Sequence, residues 1–258
     1  MVGLSSGWLQ PDWPAPAGVR AACTTRVGGR SCGAWQGLNL GDHVGDDPVA
    51  VAANRAEVNS EIDARPVFLR QVHGVAVARL GVDTPQGTEA DACVTTRRGV
   101  ACTVMVADCL PVLLAHASGR AVGAAHAGWR GLAGGVIEAA LAALGEAVGE
   151  SPDQVARNTL AWLGPCIGPR AFEVGEDVRQ VFVAADPHAA AAFATLGGGK
   201  YLADLPMLAR QRLAVAGVSS VWGNDGSDDW CTVRRPSRFF SHRRDGASGR
   251  FAALVWLV

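Results

Sequence analysis

The sequence predicts one α/β domain spanning residues 1–258, built in layers as a mixed sheet flanked by helices. Three observations predict it. Between Pro66 and Ala125 short apolar runs follow one another with connections too brief for βαβ crossovers, so much of the pairing is expected to be antiparallel. Well-marked helical segments lie on both sides of that region. No repeat, coiled coil, low-complexity linker or shift of composition divides the 258 residues, 49% of which are hydrophobic, enough for one large core.

Each element follows from a local signal. Val19–Thr25 reads as a first strand, and the Gly-rich loop from Arg26 to Gly45 carries Asn39 and His43. A loop of that length in a compact domain is either functional or disordered. Asp47 as N-cap and Pro48 at the first helical position open a helix that runs to about Ile62 and contains Arg55. PVFLRQVHGVAVARL gives two β-like runs broken at His73 and Gly74, which places His73 at a strand end. Ala92–Thr96 is a strand preceded by Asp91.

The runs Ala101–Val106, Pro111–His116 and Ala121–Ala125 are each short enough to be a buried strand, with Asp108 and Cys109 at the first joint and SerGlyArg at the second. A helix starts near Gly131 and ends near Gly149. TLAWLGPCIGP is a strand stopped at Cys166, AFEVGEDVRQVFVAA is helical, and DPHAAAAFATLGGGK reads as helix and loop. Asp204 caps a helix closed by Gly217, and Val218–Trp222 is a strand. Asp229–Arg250 is basic and irregular, and FAALVWLV is apolar enough for a terminal buried strand.

Composition narrows the function. A net charge of −1 provides no basic footprint for a nucleic acid. No apolar run approaches the ~18 residues that cross a bilayer, and MVGLSSGWLQPDWP lacks the basic and apolar regions of a secretion signal. A soluble, cytoplasmic protein, expected to be a monomer, is the reading. The seven cysteines are odd in number and contain no C-x-x-C pair, which favours reduced thiols over a disulfide framework.

Chemistry collects at strand ends. Of six histidines, His188 and His116 read as structural or exposed and His43 and His242 fall in irregular segments, so His73 and His126 with Cys109 form the strand-end set. Two imidazoles and one thiolate are a first shell for zinc that leaves a fourth position open for water. The same residues also suit Cys109 as a nucleophile with His126 as base and Asp108 orienting the imidazole. Both readings need a Cys109 thiolate, and spacing does not separate them.

Seven motifs then occur in order: GlnValHisGly at 71–74, AspAlaCysValThr at 91–95, AlaAspCysLeuPro at 107–111, HisAlaGlyTrpArgGly at 126–131, GlyProCysIleGlyPro at 164–169, PheGluValGly at 172–175 and ArgPhePheSerHisArgArgAspGly at 238–246. With AsnLeuGlyAspHisValGlyAspAspPro at 39–48, they resemble the family named multicopper polyphenol oxidoreductase, laccase-domain proteins or peptidoglycan editing factor, whose members are largely described as purine nucleoside phosphorylases with adenosine deaminase activity. The resemblance covers nearly the whole chain. It implies a cysteine-hydrolase-like layered α/β fold and zinc on His73, Cys109 and His126. It also implies phosphorolysis of adenosine, inosine, guanosine and methylthioadenosine, with adenosine deamination at the same site. His242 stands where relatives often carry Tyr.

Laccase chemistry itself is excluded by arithmetic, because its copper centres need roughly ten histidines, commonly in H-x-H pairs. Six histidines without such a pair cannot build them, although copper could occupy the His/Cys site in place of zinc. The H-x-E and P-C-x-x-C signature of zinc nucleobase deaminases is also missing. Asp91 or Asp108 is therefore assigned the proton in deamination. Arg130, beside a helix N-terminus, is assigned to phosphate, with Arg55 and Arg244 as additions and Asn39 and His43 as further binding residues. Two alternatives remain: a zinc amidase acting on a UDP-linked muramoyl amino acid, and a zinc-stabilised binding module. A fourth ligand, with Cys102, Cys93 and His116 the nearest candidates, would favour the module.

Overall fold

The structure, a computed structural model, describes residues 7–258. Residues 1–6, part of the segment read above as lacking a secretion signal, lie outside the described residues. The first half of the chain forms β1 (Val19–Cys23), α1 (Pro48–Glu61), β2 (Arg65–Phe68), β3 (Val77–Arg79), β4 (Ala92–Thr95), β5 (Val100–Val106), β6 (Leu110–His116) and β7 (Val122–Ala127). Next come α2 (Trp129–Gly134), α3 (Val136–Val148), α4 (Pro152–Arg157), β8 (Thr159–Leu163), β9 (Glu173–Gly175) and α5 (Glu176–Ala185). The chain closes with β10 (Phe193–Gly197), β11 (Lys200–Ala203), α6 (Leu205–Val215), β12 (Ser220–Gly223), α7 (His242–Asp245) and β13 (Phe251–Leu257).

Ten of these strands form two large mixed sheets rather than one, and β10, β11 and β9 form a small third sheet in that order. The first has the order β1-β13-β5-β2 and the second β12-β8-β6-β7-β4-β3, each mostly antiparallel with parallel pairs only toward its edges. Period-2 alternation stacks them. Along β5, Val100, Cys102, Val104 and Val106 point at the second sheet, where Cys93, Leu113, Ala115 and Trp162 meet them. Ala101 and Met105 point the other way, into a core shared with Val58 and Ile62. The outer face of the second sheet, through Leu110, Val112 and Leu114, is covered by Ile137, Leu141 and Leu144 of α3 and Leu208 and Leu213 of α6. Helix, sheet, sheet and helix therefore form the layers, and sequence could not divide the strands because β5 and β13 are buried on both faces.

Local expectations hold where a cap or a continuous apolar run marks the element. Asp47 and Asp204 accept the N–H of Val49 and Met207 as N-caps of α1 and α6. Three differences have physical causes. The predicted helix after Gly131 is two helices, broken where Gly135 adopts φ 98°. The strand expected to reach Cys166 ends at Leu163. The segment read as helix and loop contains the β10–β11 hairpin, whose mostly exposed first strand has no alternating apolar signal to betray it. Among the described residues no helix is long and apolar enough to cross a membrane.

Candidate metal centre

His73, Cys109 and His126 reach one point from three different connections, with their donor atoms all within 4.8 Å of one another. His126 lies near the end of β7, and Cys109 immediately precedes β6, which pairs with it. His73 lies in the loop between β2 and β3 rather than at a strand end, with φ 62°, a left-handed conformation unusual outside glycine. Its ring stands edge-on to His126 with centroids 4.8 Å apart, and its Nε2 is 3.8 Å from Cys109 Sγ.

One buried carboxylate fixes the His126 imidazole and the backbone that carries His73. Asp91 Oδ1 accepts from His126 Nδ1 at 2.9 Å and from the His73 backbone N–H at 2.9 Å, while Oδ2 accepts the N–H groups of Val72 and Gly74 at 3.1 and 2.7 Å. Holding the proton on Nδ1 leaves His126 Nε2 free to face the centre. Burial alone would raise the Asp91 pKa, but the bonds from His126 and the loop amides overcome it and hold the carboxyl below its ordinary range. Gln71 braces the same loop, donating to Met105 O and accepting from Met105 N at 2.8 Å each.

Cys109 owes its position to Asp108, whose φ of 101° turns the chain sharply between β5 and β6. Asp108 Oδ1 accepts from Thr232 Oγ1 and Oδ2 from the Arg243 N–H, both at 2.6 Å, and its carbonyl accepts from Ile167 N. Burial pushes the Cys109 thiol up, yet the facing His126 and His73 bring it down to about 6. Burial likewise disfavours charge on His126, and the Cys109 thiolate with Asp91 lifts it to about 9. Without a metal the pair is therefore thiolate and imidazolium at neutral pH.

The donor set fits a metal. Two imidazole nitrogens, one of them oriented by a carboxylate, and a low-pKa thiol are the ligands of an open zinc site, and copper would also take them. Gly128 leaves the necessary room, since a Cβ there would lie 2.8 Å from Cys109 Sγ and 3.1 Å from His73 Cδ2. The other candidate ligands lie elsewhere: Cys93 and Cys102 are buried between the sheets, and His116 is bonded to Ser118 and Glu150 at the far end of β6.

The centre forms the floor of a cavity of about 420 Å³. Met105, Trp129, Ile167, Phe172 and Leu205 give it an apolar lining and His43, His242, Arg243 and Arg250 a basic rim, with the Arg243 guanidinium 5.4 Å from the centre of the Phe172 ring. Burial lowers the Arg250 pKa, and the negative charges of Cys109 and Asp108 favour its cationic form.

Several residues expected at the site are elsewhere or otherwise engaged. Arg130 is exposed and stacked at 4.4 Å over the Trp129 ring. Arg55 lies over Phe68, bonded to Leu40 O and Asp42. Arg244 donates to the carbonyls of Thr232, Val233 and Phe239. None of the three lines the cavity. Asn39 accepts from the Arg250 and Gly41 N–H groups and donates to Asp46, so it shapes the rim without reaching into it. Of the expected binding residues, only His43 lines the cavity. Arg243 and Arg250 were missed. For Arg243 the available signal was its place in the ArgArg pair at 243–244, where one helical step of ~100° decides which side chain faces in.

The family model described as multi-copper polyphenol oxidoreductase laccase matches residues 20–258. Purine nucleoside phosphorylase PA4543 of Pseudomonas aeruginosa is 50% identical over 253 residues, covering 98% of this chain and 99% of that protein. Purine nucleoside phosphorylase YfiH of Escherichia coli is 46% identical over 97% of this chain and 98% of its own. The crystal structure of Neisseria meningitidis protein NMB0706 superposes with a TM-score of 0.91 at 48% identity, over 98% of this chain and 99% of that one. YlmD from Geobacillus stearothermophilus gives 0.88 at 31%, over 99% and 97%. With a shared fold, near-complete coverage and half of its residues in common with a relative, the chain belongs to the multi-copper polyphenol oxidoreductase laccase family.

Proposed function

We propose that this protein is a purine nucleoside phosphorylase acting at the His73, Cys109 and His126 centre, with Zn²⁺ as its metal. The observation that supports it most is that one cavity combines apolar side chains and a basic rim with three convergent ligands. Trp129, Phe172 and Leu205 suit the flat, weakly polar face of a purine. Arg250 and Arg243 suit phosphate, which a guanidinium holds through two parallel charge-assisted bonds. At about 420 Å³ the cavity lies near the lower end of the ~300–1,000 Å³ range of ligand pockets. That size favours a nucleoside over a nucleotide-linked muramoyl peptide.

In phosphorolysis a phosphate oxygen forms a bond to ribose C1′, the C1′–N9 bond breaks, and the base leaves with a proton. The chain's part is to hold phosphate at the rim, stack the base and exclude water, which brings the reacting atoms into one arrangement. A bound zinc supplies Lewis-acid polarisation of substrate oxygen or nitrogen and of water, the latter serving adenosine deamination. Asp91 and Asp108 are reassigned from proton transfer to positioning, because their oxygens already accept two bonds each or bind firmly to Thr232 and Arg243.

The test is a product assay on metal-analysed protein given adenosine with and without phosphate, beside Cys109→Ala. Adenine appearing only with phosphate, and lost in the variant, is the expected result. Inosine formed without phosphate establishes the deaminase. Inertness of zinc-loaded protein toward every nucleoside overturns the reading and makes the muramoyl amide the next substrate.

A further inference from the structure

At the end of β6 remote from Cys109, the chain builds a second polar constellation. β6 runs from Leu110 to His116, so the two ends lie roughly 20 Å apart at ~3.4 Å per residue. The His116 ring is only 2% exposed. Ser118 directs both its N–H and its hydroxyl at His116 Nδ1, at 3.2 and 2.7 Å. The backbone donor makes Nδ1 the acceptor, which puts the ring proton on Nε2, 3.0 Å from Glu150 Oε2. Asn158 Nδ2 donates to that same carboxylate oxygen at 3.0 Å. On the outer side, Arg120 Nε donates to Ser118 Oγ at 3.1 Å. Bonds from Asn158 and His116 hold the Glu150 carboxyl below its ordinary range, so it is ionised at neutral pH.

Ser118 and Arg120 are exposed, on the turn joining β6 to β7. The hydroxyl thus lies against a buried imidazole nitrogen that also accepts a backbone N–H, the far nitrogen of that imidazole is held by a carboxylate, and a cation lies against the hydroxyl oxygen. Those are the parts of an activated serine, recognised by geometry and role. The two imidazole nitrogens have exchanged roles relative to the serine protease arrangement, with Nδ1 as the base. Exposed on a turn, Ser118 is open to a substrate that is small and unhindered.

We propose that Ser118 is a nucleophile with His116 as its base and Glu150 as the positioning residue, and that it accepts acyl groups from small carboxylic esters. Ser118 Oγ bonds to the ester carbonyl carbon while its proton passes to His116 Nδ1, and the imidazolium is stabilised by Glu150. The carbonyl oxygen takes the negative charge beside the Arg120 guanidinium. Collapse breaks the carbon–oxygen bond to the leaving alcohol, which departs with the proton from His116. Water repeats the sequence, releasing the carboxylic acid and restoring Ser118. The site is separate from the metal centre and needs no metal.

The experiment uses the full chain carrying Cys109→Ala, so that the ligand thiol does not react. It is treated with a biotinylated fluorophosphonate, whose phosphorus bonds to the serine oxygen as fluoride leaves, and the labelled peptide is located by mass spectrometry. Label on Ser118 is expected, with the rate falling about 100-fold in His116→Gln, the lower end of what a general base contributes. Because His116 is buried, Glu150→Gln is the second variant: it keeps the volume and a bond to Asn158, and it is expected to slow labelling about tenfold. A burst of 4-nitrophenol from 4-nitrophenyl acetate, lost in Ser118→Ala, is the substrate counterpart. In protein with Cys109 intact, Ser118→Ala leaves nucleoside turnover unchanged. No label on Ser118, or an equal rate with and without both variants, overturns the proposal and reduces the constellation to a tie between the turn and the end of α3.

Discussion

Asp91 accepts the His126 Nδ1 proton at 2.9 Å and, through the same two oxygens, the backbone N–H groups of Val72, His73 and Gly74. The two histidines of the centre, far apart in sequence, are thereby set by a single buried group. Asp91→Asn keeps the shape but substitutes an NH₂ for one acceptor, placing a donor against a donor. Metal affinity is expected to fall about 10- to 100-fold, the usual effect of losing a partner behind a ligand. Competition with a chromophoric chelator measures it, and an unchanged affinity would show that the loop orients His73 unaided. Asp91→Ala leaves several buried donors unpaired and is expected to cost about 3 kcal/mol or more of stability.

Gly128 gives a cleaner way to remove the metal. Its φ of −63° and ψ of 159° suit any residue, so alanine introduces no backbone strain. The added Cβ would sit 2.8 Å from Cys109 Sγ. Gly128→Ala is expected to fold normally by circular dichroism while retaining little zinc by atomic absorption and losing nucleoside turnover. Full metal occupancy in that variant would mean that the thiol can swing away and still ligate.

The metal-free protein has a pH signature in reactivity rather than in stability. The Cys109 pKa lies at about 6 instead of 9.0, and that of His126 at about 9 instead of 6.5. Lowering of the thiol alone would make stability rise with pH between about 6 and 9, since the unfolded chain then holds the extra proton. Raising of the imidazole alone would make it fall between 6.5 and about 9, because the folded chain then holds the extra proton. The two slopes oppose each other across that window, as expected for a proton moved from sulfur to nitrogen inside the protein. Alkylation is the sensitive readout. In metal-free Cys32→Ser protein, which lacks the exposed thiol, the iodoacetamide rate is expected to be flat above pH 7 and to fall below about 6. A rate still rising through pH 8 to 9 would show an ordinary thiol.

How far the sequence could go depended on what fixes each group. Cys109 and His126 were legible because strand ends and ordered motifs place them, His73 through its motif alone, and α1 and α6 because Asp47 and Asp204 cap them. The rim was not legible. Arg130 and Arg244 looked equivalent to Arg243 and Arg250 in composition. Only the fold stacks Arg130 on Trp129, turns Arg244 onto three carbonyls, and brings Arg250, just before β13, beside the turn that precedes β6. The two-sheet arrangement was hidden for a related reason: strands buried on both faces carry no alternation to say which sheet they belong to.

That rearrangement of arginines gives the last prediction. Arg250 uses Nη1 to bond the carbonyls of Ser248 and Gly249, which anchors the guanidinium near Cys109 and Asp108. Anchored in this way, it presents its charge to the cavity with little side-chain entropy left to lose on binding phosphate. Arg250→Ala is expected to raise the KM for phosphate about 10- to 100-fold, the equivalent of one bond to a charged group. The KM for adenosine should change far less, because the base is assigned to the apolar side chains of Trp129, Phe172 and Leu205. Arg130→Ala, outside the cavity, is expected to leave phosphate KM unchanged. Steady-state kinetics with each substrate varied in turn decides it. Equal losses for phosphate in both variants would point to a general field effect, and a loss confined to Arg130 would return phosphate to the start of α2.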